Sequence, residues 1–364
     1  MAVRVVSGPE ILTAVTAALS GGDPVIPVPP EGPDAAAALA GPEPLEHPDT
    51  AVLVATSGST GRPKGVLLTR SALLASARAT QEALGGPGAW VCPLPLHYVA
   101  GLMTVVRAWA ASRPVSVVGA GLDDLPIVAG ERNYLSVVAA QLHRALDDPA
   151  ALARLAAFDA ILVGGSAIPA DLLVRGRARG LRLVATYGMT ETCGGCVYDG
   201  VPLPGVEVAV DRAERIWIGG PQLFSGYRGD PDATAAALVG GRLRTQDRGA
   251  WDQDRLTVKG RLDEVVISGG VNVDLAAAQR AADAAFGPGE VILLALPDDR
   301  FGARIVAVTA RSWSLEQVRG RLQADLTPTA LPRDLQRVPT LPLTGTGKID
   351  RQRLVHDWIE GSRQ

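Results

Sequence analysis

Among the 35 basic residues only three are lysines, Lys64, Lys259 and Lys348, and arginine fills every other basic position. A compact ammonium on a flexible stem does work that a planar guanidinium cannot, so each lysine marks a place to look for chemistry. Lys64 stands near the end of Thr56-Ser-Gly-Ser-Thr-Gly-Arg-Pro-Lys-Gly65. Thr56, Ser57, Gly58, Ser59, Thr60 and Gly61 are small hydroxyl residues and glycines, which let backbone N–H groups close on a polyphosphate while Lys64 adds a point charge. The spacing is not that of a Walker A loop, because Pro63 stands where the second glycine of that motif belongs. Lys348 lies in the glycine-dense run Thr344-Gly-Thr-Gly-Lys-Ile-Asp-Arg351, read as an exposed, flexible loop, and Lys259 reads as a solvated residue. Cys193-Gly-Gly-Cys196 has no further ligands at metal spacing, so it reads as small residues in packing rather than as a metal or redox pair.

The elements that must position these groups follow from hydrophobic patterning. Apolar runs at 51–55, 89–94, 114–118, 134–138, 160–163 and 181–185 alternate with helical stretches after Thr69, from Val99 and over 140–155, the pattern of a parallel sheet covered by helices. The run Thr56 to Gly65 is expected to join the first of these strands directly to the helix after Thr69. An amphipathic stretch over 11–19 precedes a Pro/Gly/Ala-rich segment, 22–48, read as loop. After Gly200 short alternating strands at 207–210 and 215–218 suggest an antiparallel subdomain. A boundary near Gly260 and Arg261 separates domain 1–260 from domain 261–364. The latter is a small α+β domain with helices over 275–286 and 315–326 and strands over 291–295 and 305–308.

A chain of 364 residues with 47% apolar residues can bury substantial cores, and its net charge of −3 supplies no global field for nucleic acid or anionic lipid. Three cysteines cannot build a disulfide framework, and no signal-peptide or membrane-spanning run is apparent, so a cytoplasmic location is expected.

The phosphate loop and five further segments together resemble the adenylate-forming superfamily of acyl-CoA synthetases, peptide-synthetase adenylation domains and luciferases. The segments occur in the family's order: Gly164-Gly-Ser-Ala-Ile-Pro169, Thr186-Tyr-Gly-Met-Thr-Glu-Thr192, Thr245-Gln-Asp-Arg-Gly249, Gly260-Arg-Leu-Asp-Glu-Val-Val-Ile-Ser-Gly-Gly270 and Pro342-Leu-Thr-Gly-Thr-Gly-Lys-Ile-Asp-Arg351. The resemblance implies an α/β fold: a large N-terminal domain of helix-covered, mainly parallel sheets with a small antiparallel subdomain, and a small mobile C-terminal lid. It implies attack of a carboxylate on the α-phosphate of ATP, then thiol attack on the acyl-adenylate. Both steps develop negative charge that cations and N–H donors must meet. It places Thr186, Tyr187 and Gly188 with Gly164, Gly165 and Ser166 around the nucleotide, Thr190 on the α-phosphate, and Glu191 on Mg²⁺. Asp247 falls on the ribose hydroxyls, Arg261 on ribose or phosphate, Asp263 at the hinge, and Lys348 as the catalytic lysine. Gln246 replaces the usual glycine of its motif.

Residues 95–109 fall where the family forms its acyl pocket, with His97 and Gly101 expected at the pocket and His97 counted with the catalytic groups. Leu102, Val105, Val106 and Trp109 share an apolar helical face that Arg107 interrupts. With residues 134–146 and Ile267-Ser-Gly-Gly-Val-Asn-Val273, this region looks most like the 2-succinylbenzoate–CoA ligases of menaquinone biosynthesis. Arg107 would then face the second carboxylate of a dicarboxylic acid, with a surface-facing arginine as the competing reading. The Ser268-Gly269-Gly270 turn would let the pantetheine arm of coenzyme A pass close to the backbone. The expected co-substrates are ATP with Mg²⁺ and coenzyme A, the expected partners small molecules without nucleic acid, and a homodimer is possible. The region before Thr56 is shorter than in most relatives, and the acidic residue usual after the Gly-Gly turn is absent from 271–275. A carrier-protein adenylating enzyme and a regulatory nucleotide-binding relative are the competing functions.

Overall fold

The computed structural model describes residues 3–30, 38–41, 43–57, 63–165, 168–343 and 349–361. The chain divides into two compact units. One comprises Met1–Ala209, Trp217–Thr245 and Trp251–Leu256; the other comprises Val210–Ile216, Gln246–Ala250 and Thr257–Gln364. One sheet orders strands Glu207–Val210, Arg215–Gly219, Arg242–Asp252 and Leu238–Val239, with Arg255–Arg261 beside Arg242–Asp252.

In the first unit the central sheet has seven strands. Their spatial order is Val201–Pro202, Gly194–Tyr198, Leu183–Met189, Ala160–Gly164, Asn133–Val138, Ala89–Cys92 and Val115–Val117. The last five run parallel, and Gly194–Tyr198 turns back antiparallel on Leu183–Met189. Both faces are apolar because both are covered. Val91, Leu135, Val137, Ile161 and Val163 pack on one side with Leu142, Leu155 and Leu172. Trp90, Tyr134, Ala160 and Leu162 pack on the other with Ala79 and Ala108, from helices Arg70–Ala83 and Val99–Ala111.

The second sheet of this unit orders strands Arg4–Ser7, Val25–Val28, Thr50–Ser57, Pro63–Thr69 and Gly226–Tyr227. Two expectations fail here. The segment 22–48 contains the fully buried strand Val25–Val28, which the proline and alanine content around it conceals. The phosphate run does not join strand to helix. It connects two antiparallel strands, paired from Thr50↔Thr69 to Ser57↔Pro63, and only then does Thr69 cap helix Arg70–Ala83 by accepting from the Ala72 N–H at 3.1 Å. The stretch 140–155 is two helices, Ala139–Ala145 and Pro149–Leu155, because Asp148 caps a new start with proline in its first turn.

The second unit is built on strands Val271–Asp274, Val265–Ser268, Gly302–Thr309 and Ile292–Asp298, with Leu335–Arg337 parallel to Gly302–Thr309. Alternation divides its core by face. Leu293, Ile305 and Ala307 meet Ala278 and Ala282 of helix Leu275–Phe286 and Val318 and Leu322 of helix Leu315–Leu322, whereas Ile292, Leu294, Val306 and Val308 meet Leu354 and Trp358 of helix Arg351–Gly361. The helix expected over 315–326 ends at Leu322.

Candidate active site

Gly164 ends one parallel strand and Gly165 follows it, and Thr186 to Met189 form the C-terminal end of the next, the edge at which open α/β sheets bind ligands. Thr186 Oγ1 donates to the Val163 carbonyl at 3.1 Å, and a Cβ at Gly164 would overlap that hydroxyl. Gly165 has φ +91°. A Cβ at Gly188 would overlap the Gly194 carbonyl, so the backbone of the two antiparallel strands closes where only glycine fits. The chain then makes a short turn, Thr190–Thr192, in which Thr190 is buried and Thr192 Oγ1 accepts from the Met189 N–H at 2.9 Å and donates to Gly194 O at 2.7 Å.

Glu191 leaves this turn and its Oε1 accepts from the Tyr227 hydroxyl at 2.9 Å. Burial, and then the adjacent Glu191 carboxylate, push the Tyr227 phenol pKa up, so it stays a donor. Lys64 Nζ lies 5.0 Å from the centroid of the same ring. Among the described residues no group of three or more His, Cys, Asp or Glu could hold a metal by itself. A lone carboxylate beside a cation suits Mg²⁺ that arrives with phosphates, since Mg²⁺ commonly takes one or two protein carboxylates and completes its shell from substrate and water.

Arg107 faces inward. It is 4% exposed, its guanidinium lies 5.1 Å from the Trp90 ring centroid, and a Cβ at Gly194 would come within 3.8 Å of its Nη2. Its Nε has no hydrogen-bond partner among the described residues, and no carboxylate there pairs with it. Four further buried side-chain polar atoms lack partners among the described residues: Trp90 Nε1, Ser136 Oγ, Gln222 Oε1 and Ser268 Oγ. Trp90 and Tyr134 are paired across adjacent strands, and Ser136, two residues beyond Tyr134, shares their face by strand alternation. Ser136 and Trp90 were not singled out in the sequence, where they lie inside apolar runs. The His97 and Tyr98 rings meet at a tilt of 55° with centroids 4.2 Å apart just before helix Val99–Ala111. Gly101 is buried, and a Cβ there would overlap the Pro95 carbonyl, so it seats the helix on the preceding loop.

In the second unit, Asp247 is 14% exposed and lies 3.6 Å from Arg261 Nη1, while Arg261 also binds Asp263 through two hydrogen bonds of 2.8 and 2.7 Å. Ser268 is buried, and Gly269 and Gly270 have φ +60° and +79°, forming the tight hairpin between Val265–Ser268 and Val271–Asp274. Lys259 departs from expectation. It is not merely solvated, because Nζ pairs with Glu214 at 2.5 Å, Glu214 binds Arg248 at 2.8 Å, and Arg248 reaches Asp274 at 3.0 Å. Asp274 in turn caps helix Leu275–Phe286. Gly58, Ser59, Thr60, Gly61, Ser166 and Lys348 lie outside the described residues. Cys193 and Cys196 are buried free thiols, and burial pushes the pKa of Cys196 up to about 12.

Residues 8–228 match the family of AMP-binding enzymes. The chain belongs to that family. It is 42% identical to a Mycobacterium tuberculosis protein named "Probable 2-succinylbenzoate--CoA ligase", over 95% of this chain and 94% of that one. It is 29% identical to a 2-succinylbenzoate–CoA ligase of Enterococcus faecalis, over 86% of this chain and 70% of the relative. Among solved structures it resembles a variant of E. coli MenE with bound OSB-AMS, with a TM-score of 0.77 and 26% identity, covering 98% of this chain and 87% of that one. The chain has the α/β architecture, with a larger N-terminal and a smaller C-terminal domain, that the motifs implied.

Proposed function

We propose that this enzyme joins 2-succinylbenzoate to coenzyme A in menaquinone biosynthesis. The succinyl carboxylate oxygen bonds to the α-phosphorus of ATP as the bond to pyrophosphate breaks. The coenzyme A thiolate then forms a thioester with the acyl carbon, and AMP leaves. Arg107 carries the substrate assignment: a buried guanidinium with an orphan Nε and no salt-bridge partner among the described residues suits the benzoate carboxylate that takes no part in bond making. The names borne by its relatives point the same way.

In this reading Lys64 and the loop before it bind the polyphosphate, Glu191 binds Mg²⁺, and Mg²⁺ offsets phosphate charge when bound. Thr190 meets the α-phosphate, Asp247 accepts from the ribose hydroxyls, and Lys348 supplies the ammonium for adenylate formation. Asp263 is the hinge of the domain that begins near Gly260, and the Gly269-Gly270 hairpin takes the pantetheine arm. The test is ATP- and Mg²⁺-dependent pyrophosphate release with 2-succinylbenzoate, benzoate and salicylate, with mass detection of the thioester. Preference for 2-succinylbenzoate, lost in Arg107→Leu, supports the assignment. Equal turnover of a monocarboxylate overturns it and leaves the adenylating chemistry standing.

A further inference from the structure

Tyr227 makes contact with two oppositely charged groups at once. Its hydroxyl donates to Glu191 Oε1 at 2.9 Å and its ring lies 5.0 Å from Lys64 Nζ, yet Lys64 and Glu191 form no ion pair with each other. The other Glu191 oxygen has no partner among the described residues, so one oxygen is held and one is left for a cation. The ring is fixed from both sides. Strand Gly226–Tyr227 pairs antiparallel with the strand that carries Lys64, Tyr227 opposite Val66, and the Phe224 N–H donates to the Glu191 carbonyl at 2.9 Å. Phe224 packs edge-on against Tyr227 with centroids 4.9 Å apart, and the Tyr227 N–H donates to Thr234 Oγ1 at 2.9 Å.

We infer that Tyr227 is a positioning residue that keeps the Glu191 carboxylate and the Lys64 ammonium apart, leaving the first for a divalent cation and the second for phosphate. An ammonium and a carboxylate within reach of one ring attract each other, and a direct pair would quench both binding functions. The face of a phenol satisfies the ammonium weakly, by cation–π attraction, and its hydroxyl satisfies one carboxylate oxygen while fixing its orientation. Both groups thus remain exchangeable for stronger ligands. The inference rests on the reading of Glu191 as the metal ligand and Lys64 as a phosphate ligand.

The test uses the full chain with Mn²⁺ as an EPR-visible probe and a non-hydrolysable ATP analogue, read as Mn²⁺ affinity at saturating nucleotide and, separately, as nucleotide affinity in EDTA. Tyr227→Phe keeps the ring and is expected to weaken Mn²⁺ about tenfold, in the range for loss of an outer-shell partner, with metal-free nucleotide affinity unchanged. Tyr227→Leu is expected to weaken both, because Lys64 then closes on Glu191. Adding Glu191→Gln to Tyr227→Leu is expected to restore metal-free nucleotide binding, a rescue that general structural damage would not show. Wild-type Mn²⁺ affinity in Tyr227→Phe, or absence of that rescue, overturns the inference. If Glu191→Gln alone leaves Mn²⁺ affinity unchanged, the metal-ligand reading fails and the inference with it; if Glu191→Gln weakens Mn²⁺ and Tyr227→Phe does not, only the inference fails.

Discussion

A buried guanidinium without an acidic partner is costly in the free protein. An orphaned buried donor costs about 1–3 kcal/mol, and replacing such a group with an apolar one of similar size can be neutral or stabilising. Arg107, 4% exposed and with Nε unpaired, meets that description. Arg107→Leu is therefore expected to raise the melting temperature while lowering kcat/KM for 2-succinylbenzoate about 10²-fold or more, a pairing of effects that differential scanning calorimetry and steady-state kinetics check together. A lowered melting temperature would mean that the arginine holds the fold rather than a ligand. The Cys193 and Cys196 pair makes the opposite case. Its spacing invites a redox reading, but both thiols are buried and held protonated. No thiol of the native protein, Cys92 included, is expected to react with a disulfide reagent at pH 8, and all three are expected to react after unfolding.

Helices and strands were legible wherever the apolar period was unambiguous, as in Val99–Ala111, Ala160–Gly164 and Leu275–Phe286. The hairpin around the phosphate run was not, because Pro63-Lys-Gly65 looks like loop and the apolar stretch that follows fits the start of a helix as well as a strand. Only the pairing of Leu67 and Leu68 with residues 52 and 53 decides it, and that contact is tertiary. Ser136, Trp90 and Tyr227 were missed for a related reason: each sits in a segment whose period speaks for packing, and what singles it out is an unpaired atom or a charged neighbour in space. Glycines show how far element and context can diverge. Gly101 in helix Val99–Ala111 has no room for a Cβ, whereas Gly320 in helix Leu315–Leu322 is exposed with nothing within 4 Å. Alanine favours a helix by about 1 kcal/mol over glycine, so Gly320→Ala is expected to stabilise by about 0.5–1 kcal/mol. Gly101→Ala, which drives a methyl into the Pro95 carbonyl, is expected to destabilise by about 1–3 kcal/mol despite the same propensity gain. Urea denaturation of the two variants measures both.

At the scale of the whole molecule, the two units differ in which groups titrate in alkali. All three cysteines and all five tyrosines fall in the unit of Met1–Ala209, Trp217–Thr245 and Trp251–Leu256, and none in the other. Burial raises the pKa of Cys92, Cys193, Cys196, Tyr134 and Tyr227, with Cys196 pushed up to about 12. A group whose folded pKa lies above its unfolded value contributes stability that is fully present below the unfolded pKa and is lost as pH rises toward the folded one. For thiols that loss begins near pH 8.5 and continues to about 12 for Cys196, at up to about 1.4 kcal/mol per pH unit for each thiol ionised only in the unfolded chain. Calorimetric scans at pH 7.5 and 9.5 are therefore expected to show the transition of the larger unit moving down while that of the smaller unit stays nearly fixed, since two separately cored units need not melt as one. Cys196→Ala is expected to reduce the alkaline shift of the first transition, whatever its effect at pH 7.5. Equal downward shifts of both transitions would mean that general charge repulsion, and not the buried thiols and phenols, governs the alkaline limit.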